Sequence, residues 1–261
     1  MVAMYAVLFY NEVMEQENQK QNSRYISIPL SASVPGTENG KLTALISTKA
    51  SGDMRFTPGK ENSERTRFFA SLGIQNRTVL GLTQVHSRLV IAAEGLHDVE
   101  GREGDGIVAD RGPLILSVTV ADCMPIFIFD TETGSFGILH SGWKGTGILK
   151  DGLEVMEERF RSHRGHVSVV LGPCIGSCCY EVDLERYSLY RRLWGEASGI
   201  MRDGKYYLDM RKANLALAER LSLHDVRVID RCTACSEELS SFRRDGENFR
   251  RMIALIGYMN L

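Results

Sequence analysis

The sequence lacks several features that would assign a protein to a membrane or to nucleic acid. No stretch approaches the ~18 consecutive apolar residues that a membrane-spanning helix requires. The formal net charge is −2 over 261 residues, which gives no electrostatic case for binding nucleic acid or an anionic membrane. Internal repeats and low-complexity segments are also lacking. We therefore expect neither nucleic acid nor a membrane as a partner, and the oligomeric state is left open.

The N-terminal stretch Met1–Tyr10 lacks the basic lead and the small-residue cleavage site of a secretory signal peptide. We therefore expect a cytoplasmic protein. Without a secretory signal, the six cysteines are expected to be reduced thiols rather than a disulfide framework. They lie at positions 123, 174, 178, 179, 232 and 235.

The pattern of apolar residues predicts the fold class. Hydrophobic residues make up 43% of the chain and charged residues 25%, as in ordinary globular proteins. Leu114–Val120 is apolar enough for a strand buried on both faces, and helical spacing predicts a helix over Thr146–Arg161. Predicted strands outnumber helices, so we expect one α+β domain over residues 1–261, with a mixed β-sheet core and flanking helices. The other predicted strands are Val79–Gln84, Arg88–Ala92, Gly106–Ala109, Pro125–Asp130, Phe136–His140, Val167–Leu171, Val226–Ile229 and Met252–Ile256, and the other predicted helices are Glu64–Leu72, Leu184–Leu193 and Asp209–Leu221.

Two imidazoles and one thiol lie at the ends of predicted strands. His86, Cys123 and His140 are distant in sequence, but adjacent strand ends could bring them together. Two imidazoles and a thiolate form a three-ligand zinc set that leaves a fourth position open, which is typical of a catalytic site. The same atoms allow a metal-free alternative, in which Cys123 is a nucleophile, His140 is its base, and Asp122 or Asp105 orients the imidazole. That alternative would make the chain a cysteine hydrolase or amidase.

Two other segments each allow two interpretations. The glycine-rich run from Ser141 to Gly147 precedes the predicted helix, so its backbone amides and Lys144 could hold an anion such as phosphate; it could equally be a tight strand-to-helix turn. The remaining cysteines, Cys174, Cys178, Cys179, Cys232 and Cys235, could supply a second zinc site built from cysteines alone. Their spacing matches no common zinc motif, so they could also be ordinary buried or cleft-lining cysteines.

Four segments occur in an order that resembles one protein family. The chain resembles the laccase-domain family, variously named multicopper polyphenol oxidase, purine nucleoside phosphorylase and peptidoglycan editing factor. The resemblance covers roughly residues 40 to 257, and the C-terminal residues Cys232-Thr233 and Ser241–Gly246 add to it. The four segments are Thr83–His86, Ala121–Ile126, His140–Gly145 and Leu171–Val182.

The resemblance implies a three-layer α/β/α-like fold related to the cytotoxic necrotizing factor hydrolases. It also implies zinc held by His86, Cys123 and His140. The activities it implies are phosphorolysis of purine nucleosides, including methylthioadenosine, and deamination of adenosine. Copper-dependent phenol oxidation and editing of a peptidoglycan precursor are further activities attributed to the family.

Our leading hypothesis is zinc-dependent nucleoside chemistry. In phosphorolysis, Lys49 and Lys144 would position phosphate. Both lysines replace arginines of the family pattern, and a lysine lacks the bidentate fork with which an arginine binds phosphate. In deamination, a zinc-activated water would attack purine C6, with Asp122 or Asp105 moving protons.

Two metal alternatives complete the predictions. Six histidines, of which only two lie in strand-end motifs, are too few for a multicopper electron-transfer centre, so any copper is expected to be adventitious. A binding module with a purely structural zinc would need a fourth protein ligand, for which Cys174 or Cys178 is available.

Overall fold

The computed structural model of the chain describes residues 8–9, 24–30, 40–57, 59–75 and 78–259. Most of Met1–Tyr10, the stretch that was examined for a signal peptide, lies outside the described residues. The strands are β1 (Leu8–Phe9), β2 (Tyr25–Ile28), β3 (Lys41–Ser47), β4 (Val79–Leu80), β5 (Val90–Ala92), β6 (Gly106–Ala109), β7 (Ile115–Val120), β8 (Met124–Asp130), β9 (Phe136–Ser141), β10 (Val167–Leu171), β11 (Glu181–Val182), β12 (Gly199–Arg202), β13 (Lys205–Leu208), β14 (Asp225–Val228) and β15 (Met252–Met259). The helices are α1 (Ser63–Ser71), α2 (Ile148–Phe160), α3 (Leu184–Trp194), α4 (Met210–Arg220) and α5 (Phe242–Asp245).

The strands form two large sheets and one small one. The larger sheet has seven strands in the order β1-β14-β10-β8-β9-β6-β5, and the second has five in the order β2-β3-β15-β7-β4. Both contain parallel and antiparallel pairs, as predicted for a mixed core. A three-stranded sheet, β11-β13-β12, is separate. The α+β class is confirmed, but two sheets form the core where we expected one.

The two large sheets pack face to face. One hydrophobic cluster lies between them and includes Phe127 and Phe136 from the seven-stranded sheet and Leu116 and Ile256 from the five-stranded sheet. A second cluster joins the outer face of the seven-stranded sheet to α2, α3 and α4, and a third joins the outer face of the five-stranded sheet to α1. The arrangement therefore has four layers, and the three-layer fold implied by the resemblance is wrong. The physical reason is that strands apolar on both faces need a cover on each side, and each sheet covers one face of the other.

Most predicted elements occur with small changes in their bounds. Leu114–Val120 corresponds to β7, which contributes Leu116 to the inter-sheet core and Ile115 to the cluster under α1. Asp209 caps α4 as its spacing suggests, because its side chain accepts a hydrogen bond from the Lys212 amide. Gly73, just past α1, adopts φ +68° and ends that helix.

Two predicted strands around His86 are much shorter than expected. Val79–Gln84 is a strand only at β4, and Arg88–Ala92 only at β5. The residues between them form a loop because the backbone amides of Val85, His86 and Ser87 donate to the Asp105 carboxylate and not to a neighbouring strand. This loop brings His86 to the end of β9.

Candidate metal centre

The three predicted metal ligands lie together. The ligand atoms of His86, Cys123 and His140 are all within 4.8 Å of one another. The two imidazole rings meet edge to face, with 5.0 Å between their centroids and 72° between their planes. Among the described residues, no fourth His, Cys or carboxylate joins this group, so neither Cys174 nor Cys178 closes the set as a structural site would require. The arrangement is that of an open three-ligand centre.

The β8–β9 hairpin positions two of the ligands. Cys123 immediately precedes β8, and Pro125 of β8 pairs with His140 of β9, so the start of one strand lies beside the end of the other. His86 and Asp122 adopt left-handed backbone conformations, at φ +59° and φ +80°. Such conformations are uncommon for residues other than glycine and are often found at functional sites.

A single buried carboxylate supports the ligand set from behind. The Nδ1 atom of His140 lies 2.8 Å from Asp105, which also accepts from the backbone amides of the His86 loop and from the Ser87 hydroxyl at 2.8 Å. Burial raises the pKa of Asp105, but the hydrogen bonds from His140 and Ser87 outweigh it and lower the pKa to about 2. With Nδ1 engaged, the Nε2 atom of His140 is the one left to bind a metal.

Cys123 and His140 each favour the charged form of the other. Burial raises the pKa of the Cys123 thiol, but the His140 charge and hydrogen bonds from both imidazoles lower it to about 6. Burial lowers the pKa of His140, but Cys123 and Asp105 raise it to about 9. Near neutral pH the pair is therefore a thiolate beside an imidazolium, and a thiolate is the form in which cysteine binds metals and acts as a nucleophile.

The ligand set lies in a cavity of about 570 Å³. This volume suits a small molecule the size of a nucleoside. Five aromatic side chains line the cavity: Phe56, Trp143, Tyr180, Phe242 and Phe249. Rings of this kind can stack on a planar base.

Three arginines, rather than the two predicted lysines, line the same cavity. They are Arg186, Arg243 and Arg251. The Arg186 guanidinium lies 4.5 Å from the Trp143 ring centroid, and that of Arg251 lies 5.7 Å from the Phe249 ring centroid. Arg243 donates to the carbonyl oxygens of Cys179 and Glu181 at 3.2 and 2.9 Å, which fixes it against the cavity wall.

The lysines predicted to bind phosphate are placed elsewhere. Lys49 Nζ lies 3.3 Å from an Asp245 oxygen, and Lys144 is exposed with its amine 5.7 Å from the Trp143 ring centroid. Neither is among the residues that line the cavity. Of the two interpretations of the glycine-rich run, the geometry favours the tight turn. Thr146 Oγ1 donates back to the Gly142 carbonyl at 3.0 Å, and a Cβ on Gly145 would come within 2.9 Å of the Ser87 carbonyl oxygen.

The two predicted acidic residues have different surroundings. Asp105 is fully buried behind His140 and does not line the cavity. Asp122 lines the cavity, but its two oxygens accept hydrogen bonds from the Thr233 hydroxyl at 2.6 Å and from the Arg243 amide at 2.7 Å. Both carboxylates are thus held in hydrogen-bond networks.

Sequence reasoning missed the arginines and most of the aromatic residues. Phe242 and Arg243 lie in the C-terminal segment that resembles the family, so the resemblance could have predicted them as site residues. Arg186 on α3 and Phe56 before α1 carry no such signal, because they reach the cavity only through packing of distant elements.

A second group of possible ligands is formed by cysteines alone. The sulfur atoms of Cys178, Cys179, Cys232 and Cys235 all lie within 4.8 Å of one another. Cys174 is fully buried nearby and is not part of this group. The four clustered cysteines therefore have the arrangement of a possible metal site. Cys174 matches the other interpretation, an ordinary buried cysteine.

Comparisons with known proteins agree with the resemblance carried by the motifs. A family model described as multi-copper polyphenol oxidoreductase laccase matches residues 49–259. The purine nucleoside phosphorylase of Deinococcus radiodurans is 33% identical over 226 residues, which covers 85% of each chain. That of Clostridium acetobutylicum is 32% identical over 185 residues, or 67% of this chain and 75% of the relative. The crystal structure of YlmD from Geobacillus stearothermophilus is 26% identical, with a TM-score of 0.75 over 90% of this chain and 99% of that one.

Among the described residues, no helix is both long enough and apolar enough to cross a membrane.

Proposed function

The chain belongs to the multi-copper polyphenol oxidoreductase laccase family, and we propose that it is a zinc-dependent enzyme that phosphorolyses purine nucleosides and also deaminates adenosine. The observation that carries the proposal is the convergence of His86, Cys123 and His140 within one aromatic- and arginine-lined cavity. The names of the relatives from Deinococcus and Clostridium support the substrate class.

The residues present fit a zinc ion. Neutral imidazole and thiolate are the donors that zinc prefers, and the lowered pKa of Cys123 supplies the thiolate near neutral pH. Asp105 accepts from Nδ1 of His140 and orients its ring, as carboxylates behind the histidine ligands of zinc sites do. When bound, zinc would supply a Lewis acid at the floor of the cavity. The two strand-end histidines fall short of a multicopper centre, so any copper in the purified protein is proposed to be adventitious.

In the proposed phosphorolysis, a phosphate oxygen bonds to the ribose C1′ carbon as the bond from C1′ to the purine N9 nitrogen breaks. The electron pair of that bond leaves with the purine, which takes up a proton. The aromatic rings of the cavity hold the base, and Arg186 and Arg251 hold the phosphate because a guanidinium binds phosphate through two parallel hydrogen bonds.

In the proposed deamination, water replaces the amino group at purine C6 and ammonia leaves. A residue that moves protons must face the reacting atoms, and of the two predicted carboxylates only Asp122 lines the cavity. We therefore assign proton transfer to Asp122 and a positioning role to Asp105.

The proposal is tested with purified, zinc-loaded protein. Inosine with phosphate is expected to give hypoxanthine and ribose 1-phosphate, and adenosine alone is expected to give inosine. Cys123→Ala should abolish both reactions, whereas Cys174→Ala, which removes a thiol outside the ligand set, should keep them. If the wild-type protein forms neither product above the Cys123→Ala background, the proposed function is wrong.

One observation favours a second candidate function. Cys123, His140 and Asp105 form a thiolate, imidazole and carboxylate series, which is the arrangement of a cysteine hydrolase. We keep as the alternative an amidase that acts on a peptidoglycan precursor. The two candidates separate on metal removal, because a thiol nucleophile keeps its activity after chelation and loses it on alkylation.

A further inference from the structure

We propose that Cys178, Cys179, Cys232 and Cys235 bind a second metal ion, a structural zinc held by four thiolates. The four residues come from two segments: the loop between β10 and β11, and the turn between β14 and α5. The site is separate from the His86, Cys123 and His140 centre and does not depend on the function proposed for it.

The distances between the sulfur atoms suit a tetrahedral zinc. Cys178 Sγ lies 3.6 Å and Cys179 Sγ 3.4 Å from Cys235 Sγ. Zinc–sulfur bonds of about 2.3 Å in a tetrahedron separate the sulfurs by about 3.8 Å. A disulfide would need about 2.05 Å. The cluster is thus preformed at the spacing of metal ligands and not at that of a bonded pair.

The backbone around Cys232 supports a thiolate. The sulfur atom of Cys232 accepts a hydrogen bond from the Gly176 amide at 3.2 Å and another from the Cys235 amide. Amide donors to sulfur stabilise metal-bound thiolates and fix their orientation. A Cβ on Gly176 would come within 2.5 Å of an Arg211 guanidinium nitrogen, 3.2 Å of Cys178 Sγ and 3.3 Å of Cys232 Cβ, so a side chain there would crowd the cluster.

Three arginines lie beside the loop that carries Cys178 and Cys179. Four thiolates around a divalent ion carry a net charge of −2. Arg202 donates to the Cys178 carbonyl at 3.2 Å and Arg243 to the Cys179 carbonyl at 3.2 Å. The Arg211 guanidinium lies against Gly176 on the other side. Arg211 is also paired with Asp230, so Arg202 and Arg243 are the charges that would offset part of the negative charge of four bound thiolates.

The position of the cluster gives it a structural role. The cysteine loop also carries Ile175 and Tyr180, which line the cavity of the metal centre. A zinc that joins this loop to the 232–235 turn would fix that cavity wall, and two of the ligands, Cys178 and Cys235, are exposed and available for metal entry.

The experiment measures how much zinc the Cys123→Ala chain binds, because this variant lacks one ligand of the His86, Cys123 and His140 centre. Cys123→Ala protein is prepared with zinc under anaerobic, reducing conditions, freed of weakly bound metal, and analysed for zinc. We expect one zinc per chain, lost when Cys235→Ser or Cys178→Ser is added and kept when Cys174→Ala is added as the matched thiol control. With cobalt in place of zinc, the intense thiolate-to-metal absorption should follow the same pattern.

Thiol alkylation of the Cys123→Ala chain tests the site without a second substitution, so the result does not depend on whether the double variants fold. Zinc is expected to protect four thiols from alkylation, and a strong chelator should expose those four and lower Tm. The proposal is overturned if the Cys123→Ala protein retains no zinc, if alkylation is the same with and without zinc, or if a disulfide joins these cysteines under reductant.

Discussion

At the scale of single residues, Asp105 connects two of the metal ligands. Its carboxylate accepts from the His140 ring and from the backbone of the loop that carries His86. One buried side chain therefore sets both the orientation of one ligand and the path of the chain at another. Its loss should affect metal binding more than the remainder of the fold.

Asp105→Asn is expected to lower zinc affinity by about 10–100-fold, because the carboxylate that orients the His140 ring is replaced by a neutral amide. Competition titration with a chelating dye measures this change. Asp110→Asn, at an exposed aspartate outside the site, is the control and should keep wild-type affinity. An unchanged affinity in Asp105→Asn would contradict the positioning role.

The Asp105 carboxylate also makes the stability of the fold depend on pH. Because the folded pKa of Asp105, about 2, lies below its ordinary value of 3.8, the ionised group stabilises the fold above pH 3.8. This contribution is lost as the pH falls towards 2, so acid unfolding of metal-free Asp105→Asn should be less pH-dependent than that of the wild type.

Metal-free Cys123 is expected to react with iodoacetamide at a rate that rises through about pH 6, since the imidazoles keep the thiolate populated well below its usual range. Peptide mass spectrometry across pH 4–10 measures the rate at each cysteine. In His140→Ala the midpoint should move upwards, because burial raises the pKa without the opposing charge. Cys174, whose pKa burial raises, serves as the unreactive internal control. A wild-type midpoint near 9 would be inconsistent with the ion pair.

Arg251→Ala is expected to raise KM for phosphate about tenfold with little change in kcat, because a charge-assisted hydrogen bond contributes about 1.5–3 kcal/mol. Steady-state kinetics with inosine at saturation measure this effect. Lys150→Ala, at an exposed lysine on α2, is the control. If Lys49→Ala or Lys144→Ala raises KM and Arg251→Ala does not, phosphate binds where the sequence alone predicted.

The three residues of the candidate metal centre were predictable from sequence, whereas the cavity arginines were not. His86, Cys123 and His140 follow apolar strands within recognisable segments, and local pattern is enough to single them out. Arg186 and Arg251 reach the same cavity from α3 and from the start of β15, so their placement depends on tertiary packing that no local pattern records. The relation to the necrotizing factor hydrolases stays a prediction.

At the scale of elements, the turn after β9 is packed against the ligands. A Cβ on Gly142 would lie 3.0 Å from Cys123 Sγ and 3.3 Å from His86 Cδ2. The glycine is therefore required by close approach to the metal centre, and a side chain there would push two ligands apart.

Gly142→Ala is expected to cost about 1–3 kcal/mol by overpacking, and to reduce zinc affinity about tenfold because both crowded groups are ligands. Isothermal titration with zinc and thermal melting of the metal-free protein measure the two effects. Gly112→Ala is the control, since its Cβ would meet only the Asp110 carbonyl oxygen at 4.0 Å. Equal affinities in the two variants would contradict the crowding argument.

The β12–β13 hairpin was not predicted, although its turn sequence, Asp203-Gly204, is typical of a hairpin. Strands β12 and β13 are joined at Asp203 and Gly204, which adopt φ +53° and φ +73°. Asp-Gly with two positive φ angles is typical of a type I′ hairpin turn. By contrast, the predicted strands on either side of His86 were too long. The loop between them is held by amides that donate to the Asp105 carboxylate, a contact that sequence periodicity does not register.

At the scale of the whole molecule, the two sheets depend on each other. The Phe136 ring of β9 meets the Tyr258 ring of β15 edge to face, with 5.6 Å between centroids, and the Tyr258 hydroxyl donates to the Gly134 carbonyl at 3.0 Å. These contacts cross from one sheet to the other. The hairpin that positions Cys123 and His140 is thus anchored to the opposite sheet.

Phe136→Ala is expected to lower the free energy of unfolding by about 3–5 kcal/mol, because it leaves a cavity between the sheets. Guanidinium unfolding followed by tryptophan fluorescence measures the loss. Met201→Ala, at a side chain that is 66% exposed, should change stability by less than about 0.5 kcal/mol. A similar small change in Phe136→Ala would show that the inter-sheet core is not tightly packed there.

Strand β15 follows every other described strand in sequence, yet it lies in the middle of its sheet, between β3 and β7. During synthesis, β3 and β7 cannot acquire their shared neighbour until residues 252–259 have emerged from the ribosome. Until translation has passed that point, two apolar strands lack the partner that pairs with both of them, and unpaired apolar strands of this kind are prone to aggregate.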